Sequence, residues 1–289
     1  MFCFLSSLNI KVKGLNNFFS DYMNIDNTNC IKGIFVWIIV FCHKTKYGIY
    51  KNHLFFKIVS NLGQKVVSMF LFYSGFGIYE SLQKKGITYI KSLSNKAIIL
   101  FIKFQLILLM FLLTNIFIFN NNITFKKYFF CIIFKSSLGN SKWFAFTIII
   151  LYIYTFLSFR FIKSKHFIGI IIISILCFFH IILVYKYFYP KAMYAVDTVF
   201  CFVIGFYYSL FKKYLDKVIF KSDICYFAIT SIIILIFYEI YNINNLVYSS
   251  IKNAIFSLLV VLISVKVKFN NNNFTFLFHF FQSYLLICK

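Results

Sequence analysis

The stretch Asn29-Cys30-Ile31-Lys32-Gly33-Ile34-Phe35-Val36-Trp37-Ile38-Ile39-Val40-Phe41-Cys42-His43 is an apolar run with a cation near its start and a histidine at its end. It predicts a membrane-spanning helix. At ~100° and ~1.5 Å per residue, Lys32 and His43 share one helix face and lie about 16 Å apart along the axis. An imidazole inside a bilayer is costly and marks a functional site by default. In the alternative interpretation, His43 snorkels at the membrane surface beside Lys44 and Lys46.

The composition defines the class of protein. Of 289 residues, 61% are hydrophobic and 23% aromatic, there is one proline, and the mean hydropathy is +0.83. A soluble domain of this length does not tolerate such values, so the chain is predicted to be a polytopic membrane protein in contact with lipid. The net charge of +23 comes from short basic clusters between apolar runs, which is typical of loops that flank membrane helices. Nucleic-acid binding needs a contiguous basic face, so we expect no nucleic-acid partner.

The apolar stretches predict an all-α, polytopic transmembrane helical bundle of about nine spans. They lie near residues 33–49, 57–79, 97–119, 143–159, 166–188, 193–211, 224–241, 251–267 and 274–288. Segment 123–138 is too short and too charged at its start to span, and reads as an interfacial or re-entrant piece. We therefore expect a cytoplasmic amino-terminal segment, 1–28, and a membrane-embedded domain, 29–289.

Basic residues also predict the orientation. No secretory signal peptide is evident in the first residues, and a cytoplasmic amino terminus puts the larger share of the lysines inside. Lys32 then lies at the cytosolic mouth and His43 toward the outer half of the membrane. Asparagine- and lysine-rich usage, with Arg160 the sole arginine, indicates a bacterium of low GC content and hence its cytoplasmic membrane. The eight dispersed cysteines are interpreted as small apolar residues, and we expect no metal site.

Several local motifs follow Lys32 and His43 in order. They are the Phe70–Leu82 segment with Ser74-Gly75-Phe76, the basic stretch 86–96, Trp143-Phe144, and Phe200–Lys213 with Gly205 and Ser209. Together they resemble the acyltransferase 3 family, integral-membrane enzymes that O-acylate surface glycans and related molecules. The resemblance covers residues 21 to 268, and begins with a match to the family's arginine, ten residues, histidine motif.

The resemblance implies roles for individual residues. His43 corresponds to the catalytic histidine, and Lys32 and Lys96 correspond to family arginines, so these lysines are expected to hold the phosphates of acyl-CoA. Lysine keeps the charge but loses the planar fork of arginine. Family members usually have about ten spans, whereas this chain stops in its ninth, and a truncated, inactive acyltransferase is therefore one alternative.

Other polar residues within the apolar runs are candidates for structural or supporting roles. Asp197 and Glu239 are the carboxylates that could orient an imidazole from within the membrane. His180 is interpreted as a core histidine bonded to a neighbouring helix. Ser74-Gly75 lacks the G-x-S-x-G elbow of a nucleophile and predicts close helix packing.

The expected function is a membrane O-acyltransferase. It moves an acyl group, most simply acetyl, from cytosolic acyl-CoA to a hydroxyl of an envelope polysaccharide or lipid-linked sugar. Acyl-CoA is a substrate here, and no permanently bound cofactor is expected. Imidazole can accept and return the proton near neutral pH. Both direct transfer and an acyl-enzyme fit these residues. The alternative from another class is a polysaccharide flippase or other transporter, which predicts internal symmetry and paired broken helices.

Overall fold

The computed structural model describes residues 10–45, 54–138, 142–160, 166–188, 193–243, 245–269 and 275. Strand β1 is Ile10–Val12 and strand β2 is Val267–Phe269. The helices are α1 Ile25–Thr45, α2 Leu54–Lys85, α3 Ile87–Phe117, α4 Phe125–Ile132, α5 Lys142–Arg160, α6 His166–Phe188, α7 Met193–Asp197, α8 Val199–Ile219, α9 Asp223–Tyr241 and α10 Leu246–Lys266.

Eight helical segments of the described chain are long and apolar enough to cross a membrane. They correspond to the first eight predicted spans, with α7 and α8 together forming one of them. Large apolar side chains such as Ile98, Phe101 and Leu106 are exposed on their surfaces, as expected where lipid is the solvent. The helical, multi-pass class is thereby confirmed, whereas the predicted ninth span at 274–288 lies outside the described residues except for Thr275.

Two helices begin earlier than the apolar stretches that predicted them. Helix α1 begins at Ile25 and α3 at Ile87, well before the apolar residues that predicted them. Hydropathy detects only the part of a helix that needs lipid, but the backbone continues to form its i to i−4 hydrogen bonds through polar flanks. Segment 123–138 was predicted to be too short to span the membrane. Its helix, α4, has eight residues and extends only about 12 Å, which agrees with that prediction.

The described residues divide into two compact units, one formed by those within 10–80 and 197–275 and the other by those within 81–196. In the first unit, α2 and α8 approach each other at two glycines. A Cβ on Gly75 would lie 2.0 Å from the carbonyl oxygen of Phe202, and a Cβ on Gly205 would lie 2.2 Å from that of Phe72. Only hydrogen fits at either place. The prediction that Gly75 serves close helix packing is therefore confirmed.

The segment before α1 is bound to the same unit. Strand β1 pairs antiparallel with β2, and the Lys266 ammonium donates to the carbonyl oxygens of Gly14 and Asn17 and pairs with Asp223 at 2.5 Å. Tyr22 is fully buried and donates to Asp216 at 2.7 Å. Burial, together with Tyr208 and Asp216, raises the pKa of the Tyr22 phenol, which keeps it protonated as a donor. Residues 10–24 thus belong to the folded unit, a feature that hydropathy did not predict.

In the second unit, α3 packs against α5, and α5 against α6. Phe104, Ile107 and Ala145 form a buried apolar cluster in which Phe104 stacks on Phe134 with centroids 4.5 Å apart. The ring of Phe159 packs directly on Gly169 of α6. A Cβ at residue 169 would lie 2.4 Å from an atom of that ring.

Candidate functional site

Helix α1 carries both residues that the sequence singled out. Lys32 and His43 lie on this one continuous helix, as predicted. Along the described helix, Lys32 lies about 10 Å and His43 about 27 Å from Ile25. Both side chains are half-buried. The Nδ1 atom of His43 is buried, so this edge of the ring is turned into the protein.

Lys32 is held by two neighbours. Its ammonium lies 3.4 Å from the amide oxygen of Asn29, and 5.4 Å from the ring centroid of the buried Tyr73 on α2. A cation over an aromatic face is stabilised by the ring's negative quadrupole. The arrangement places a positive charge within the span, against an amide oxygen and an aromatic ring.

The end of α1 that carries His43 packs on the first turns of α2. Phe41 meets the ring of Phe55 edge-on at 6.1 Å, and the Cys42 thiol lies 3.6 Å from the carbonyl oxygen of Ser60. Gly63 makes this approach feasible, since a Cβ there would lie 2.5 Å from the Cys42 sulfur. His43 is thereby fixed at the level of residues 55–63 of α2.

Asp197, a predicted orienting carboxylate, is fully buried at the break between α7 and α8. Its Oδ2 accepts a hydrogen bond from Gln64, and its Oδ1 has no hydrogen-bond partner among the described residues. Because the helix is interrupted, the Asp197 carbonyl oxygen lacks its usual backbone donor, and the side-chain amide of Asn253 donates to it at 3.2 Å. Backbone groups at membrane depth need such partners because lipid offers none.

Small polar side chains extend this cluster between α2, α8 and α10. The Ser68 hydroxyl donates to the carbonyl oxygen of Lys65 at 2.6 Å and lies 3.4 Å from that of Asn253, to which Ser257 donates at 3.0 Å. The Cys201 thiol lies beside both hydroxyls. The cluster is joined to Asp197 through the Asn253 amide.

Two lysines act electrostatically on this carboxylate. Lys65 and Lys252 both interact with Asp197 and with each other. Lys252 also donates to the carbonyl oxygens of Tyr241 and Ile243, at 3.2 and 3.1 Å, and thus caps the end of α9. Two cations against one carboxylate leave an excess of positive charge at this end of the unit.

A cavity of about 410 Å³ lies beside Lys65. Helix α2 supplies both polar and apolar side chains, α9 supplies Phe237 and Tyr241, and α10 supplies Phe256. The described residues that line it on α2 are Leu54, Lys57, Ile58, Asn61, Leu62 and Lys65. The cavity lies at the level of α2 that α1 reaches with Cys42, but on another face of the helix.

The remaining predicted residues lie elsewhere. Lys96 belongs to the second unit, where its ammonium lies 3.0 Å from the hydroxyl of Tyr89 and 4.2 Å from its ring centroid. Glu239 lies on the exposed side of α9. His180 is buried, and its Nδ1 lies 3.3 Å from the Tyr154 hydroxyl on α5, which confirms its interpretation as a core histidine bonded to a neighbouring helix.

The residues that sequence reasoning missed are the partners of Asp197 and the walls of the cavity. One signal was present: Gln64 and Ser68, and likewise Asn253 and Ser257, are polar pairs four residues apart within apolar spans. Such a pair presents one polar stripe to a neighbouring helix. The stripes did not reveal which helices would meet.

Comparison of the chain with protein-family models, with curated proteins and with solved structures found no match. The fold and the buried charges by themselves define the class, a multi-pass helical membrane protein with ionisable groups inside its spans.

Proposed function

We propose that this chain is a membrane O-acyltransferase that moves an acyl group from cytosolic acyl-CoA to a hydroxyl of an envelope glycan or lipid-linked sugar. The observation that carries the proposal is the pairing of Lys32 and His43 on α1, a cation and an imidazole at different depths of one helix. Their separation of about 16 Å suits a donor whose phosphates and reactive thioester lie far apart, as in coenzyme A.

The chemistry requires one group that accepts and returns a proton. His43 accepts the proton of the acceptor hydroxyl as its oxygen attacks the acyl carbonyl. The carbon–sulfur bond breaks, the ester bond forms, and the proton leaves on the coenzyme A thiol. Imidazole is suited to both steps because its unperturbed pKa of ~6.5 lies near neutral pH. Since Nδ1 is buried, we assign the proton transfer to the opposite ring nitrogen, Nε2.

The proposal is tested by reconstituting the purified chain in vesicles with acetyl-CoA labelled in the acetyl group and a cell-envelope glycan fraction. We expect label to enter the glycan as an alkali-labile ester. Labelled glycan at the level of protein-free vesicles, from protein shown to be folded, would refute the transferase function and favour a transporter or an inactive chain.

A first prediction concerns the orientation on which cytosolic donor use depends. In a cysteine-free variant, Lys84→Cys at the end of α2 should react with a membrane-impermeant maleimide only after the cytosolic face is opened. Asn121→Cys, between α3 and α4, should react in intact cells. Both positions are exposed, so accessibility reports the membrane side and not burial. The reverse pattern would place Lys32 at the outer face and contradict cytosolic donor binding.

A second prediction concerns the donor phosphates. Lys32→Gln removes a charge that strengthens hydrogen bonds to phosphate, so the KM for acyl-CoA should rise about tenfold or more with a smaller change in kcat. Lys96→Gln should behave alike, and Lys32→Arg should retain donor affinity. Added salt should raise the wild-type KM for acyl-CoA.

The matched control for the donor lysines is Lys213→Gln, which removes the same charge from an exposed position on α8. It should leave the KM unchanged. An unchanged KM in Lys32→Gln and Lys96→Gln as well would limit both lysines to setting the membrane topology.

A further inference from the structure

The cavity beside Lys65 combines two kinds of wall within the first unit. Lys57, Asn61 and Lys65 recur every four residues on α2, so their side chains form a line of donors about 12 Å long. Phe237 and Tyr241 recur at the same spacing on α9 and face the cavity, with Phe256 on α10. Basic and amide donors thus share one space with aromatic rings and with the aliphatic side chains of Leu54, Ile58 and Leu62.

The charge in this space is unbalanced. Lys57 and Lys65 both line it, and the neighbouring carboxylate, Asp197, is buried outside the lining and shared with Lys252. Lys65 is held in place from two sides, by the carbonyl oxygen of Asn61 at 2.9 Å and by the ring of Tyr241 at 5.8 Å. A fixed ammonium with remaining hydrogen-bonding capacity is suited to binding an anion.

The size and the aromatic wall restrict the type of anion. A volume of about 410 Å³ falls in the range of small-molecule sites, ~300–1,000 Å³. An inorganic anion would leave most of the aromatic surface unused, whereas the C–H face of a sugar ring packs on such rings. Asn61 offers both a donor and an acceptor to sugar hydroxyls.

We propose that this cavity binds a phosphate-bearing sugar, with the phosphate between Lys57 and Lys65 and the ring against Tyr241 and Phe237. Neither Lys32 nor His43 belongs to its lining, and binding here requires no acyl donor. If the chain is the transferase proposed above, the ligand is its acceptor substrate; the site itself does not depend on that activity.

The test is equilibrium binding of radiolabelled glucose 1-phosphate to the full-length protein in detergent, with glucose as the uncharged comparison. We expect saturable binding of glucose 1-phosphate that weakens with added salt, and at least tenfold weaker binding of glucose. Lys65→Gln should raise the Kd for glucose 1-phosphate about tenfold. Lys57→Gln, at an exposed position, should independently raise it by a similar factor. Lys65→Arg should restore binding, and Lys213→Gln, at an exposed position outside the lining, should leave it unchanged.

A second arm distinguishes a free sugar phosphate from one carried on lipid. Nanodiscs that contain a polyprenyl phosphoglucose should compete with glucose 1-phosphate if the natural ligand is lipid-linked, and nanodiscs of phosphatidylglycerol alone should not. Competition by phosphatidylglycerol alone, equal binding of glucose, no saturable binding of either phosphosugar, or binding unaffected by both lysine variants would overturn the proposal. Because no acyl-CoA is present, these results are independent of the acylation assay.

Discussion

His43→Ala is expected to lower the rate of acyl transfer by ~10²- to 10⁴-fold, the usual contribution of a positioned general base. The protein should stay inserted and folded, because a small uncharged residue is less costly near lipid than imidazole, and because α1 is fixed to α2 through Phe41 and Cys42. The measurement is ester formation on glycan by reconstituted protein at equal protein level, with saturating acyl-CoA.

Two further variants separate proton transfer from packing. His43→Gln retains hydrogen bonding but cannot exchange a proton, and it should fail almost as completely as the alanine variant. The wild-type rate should rise with pH as the imidazole loses its proton, and the residual rate of His43→Gln should lack this dependence. Acylation by His43→Ala within a few-fold of the wild-type rate would show that His43 is a packing residue and that the proposed mechanism is wrong.

The membrane spans could be predicted from the sequence because lipid imposes a local requirement. Each span must be apolar over its length, whichever helices it later contacts, so hydropathy found all eight spans of the described chain. The amino-terminal segment obeys no such rule. This segment is held to the first unit by the Lys266–Asp223 ion pair and by the pairing of β1 with β2. The two strands lie more than two hundred positions apart in the sequence.

In the candidate site, the sequence predicted relations along one helix but not contacts between helices. The helical period alone linked Lys32 to His43, because both lie on α1. The apolar run around Asp197 suggested a carboxylate within the membrane, but not its neighbours Gln64 and Asn253, which come from α2 and α10. A cavity between α2, α9 and α10 depends on how these helices pack, and single-sequence periodicity carries no such information.

Gly75→Ala is expected to destabilise the first unit by about 3 kcal/mol, at the upper end of the range for overpacking. The reason is that the new methyl group would meet the backbone oxygen of Phe202 at 2.0 Å, and a backbone atom cannot rotate away as a side chain can. Gly205→Ala should act in the same way against Phe72. In the double variant the losses should not add, because both substitutions force apart the same pair of helices.

Gly77 provides the matched control, since it lies on the same helix, two residues away, and a methyl group there would meet no atom of another described helix within 4 Å. Gly77→Ala should leave stability unchanged or raise it by up to ~1 kcal/mol, because alanine favours the helix over glycine. Thermal unfolding in detergent, followed by size-exclusion chromatography, measures all four variants. Equal melting temperatures for Gly75→Ala and Gly77→Ala would show that α2 and α8 do not meet through these glycines, and that the sequence Ser74-Gly75 serves some purpose other than packing.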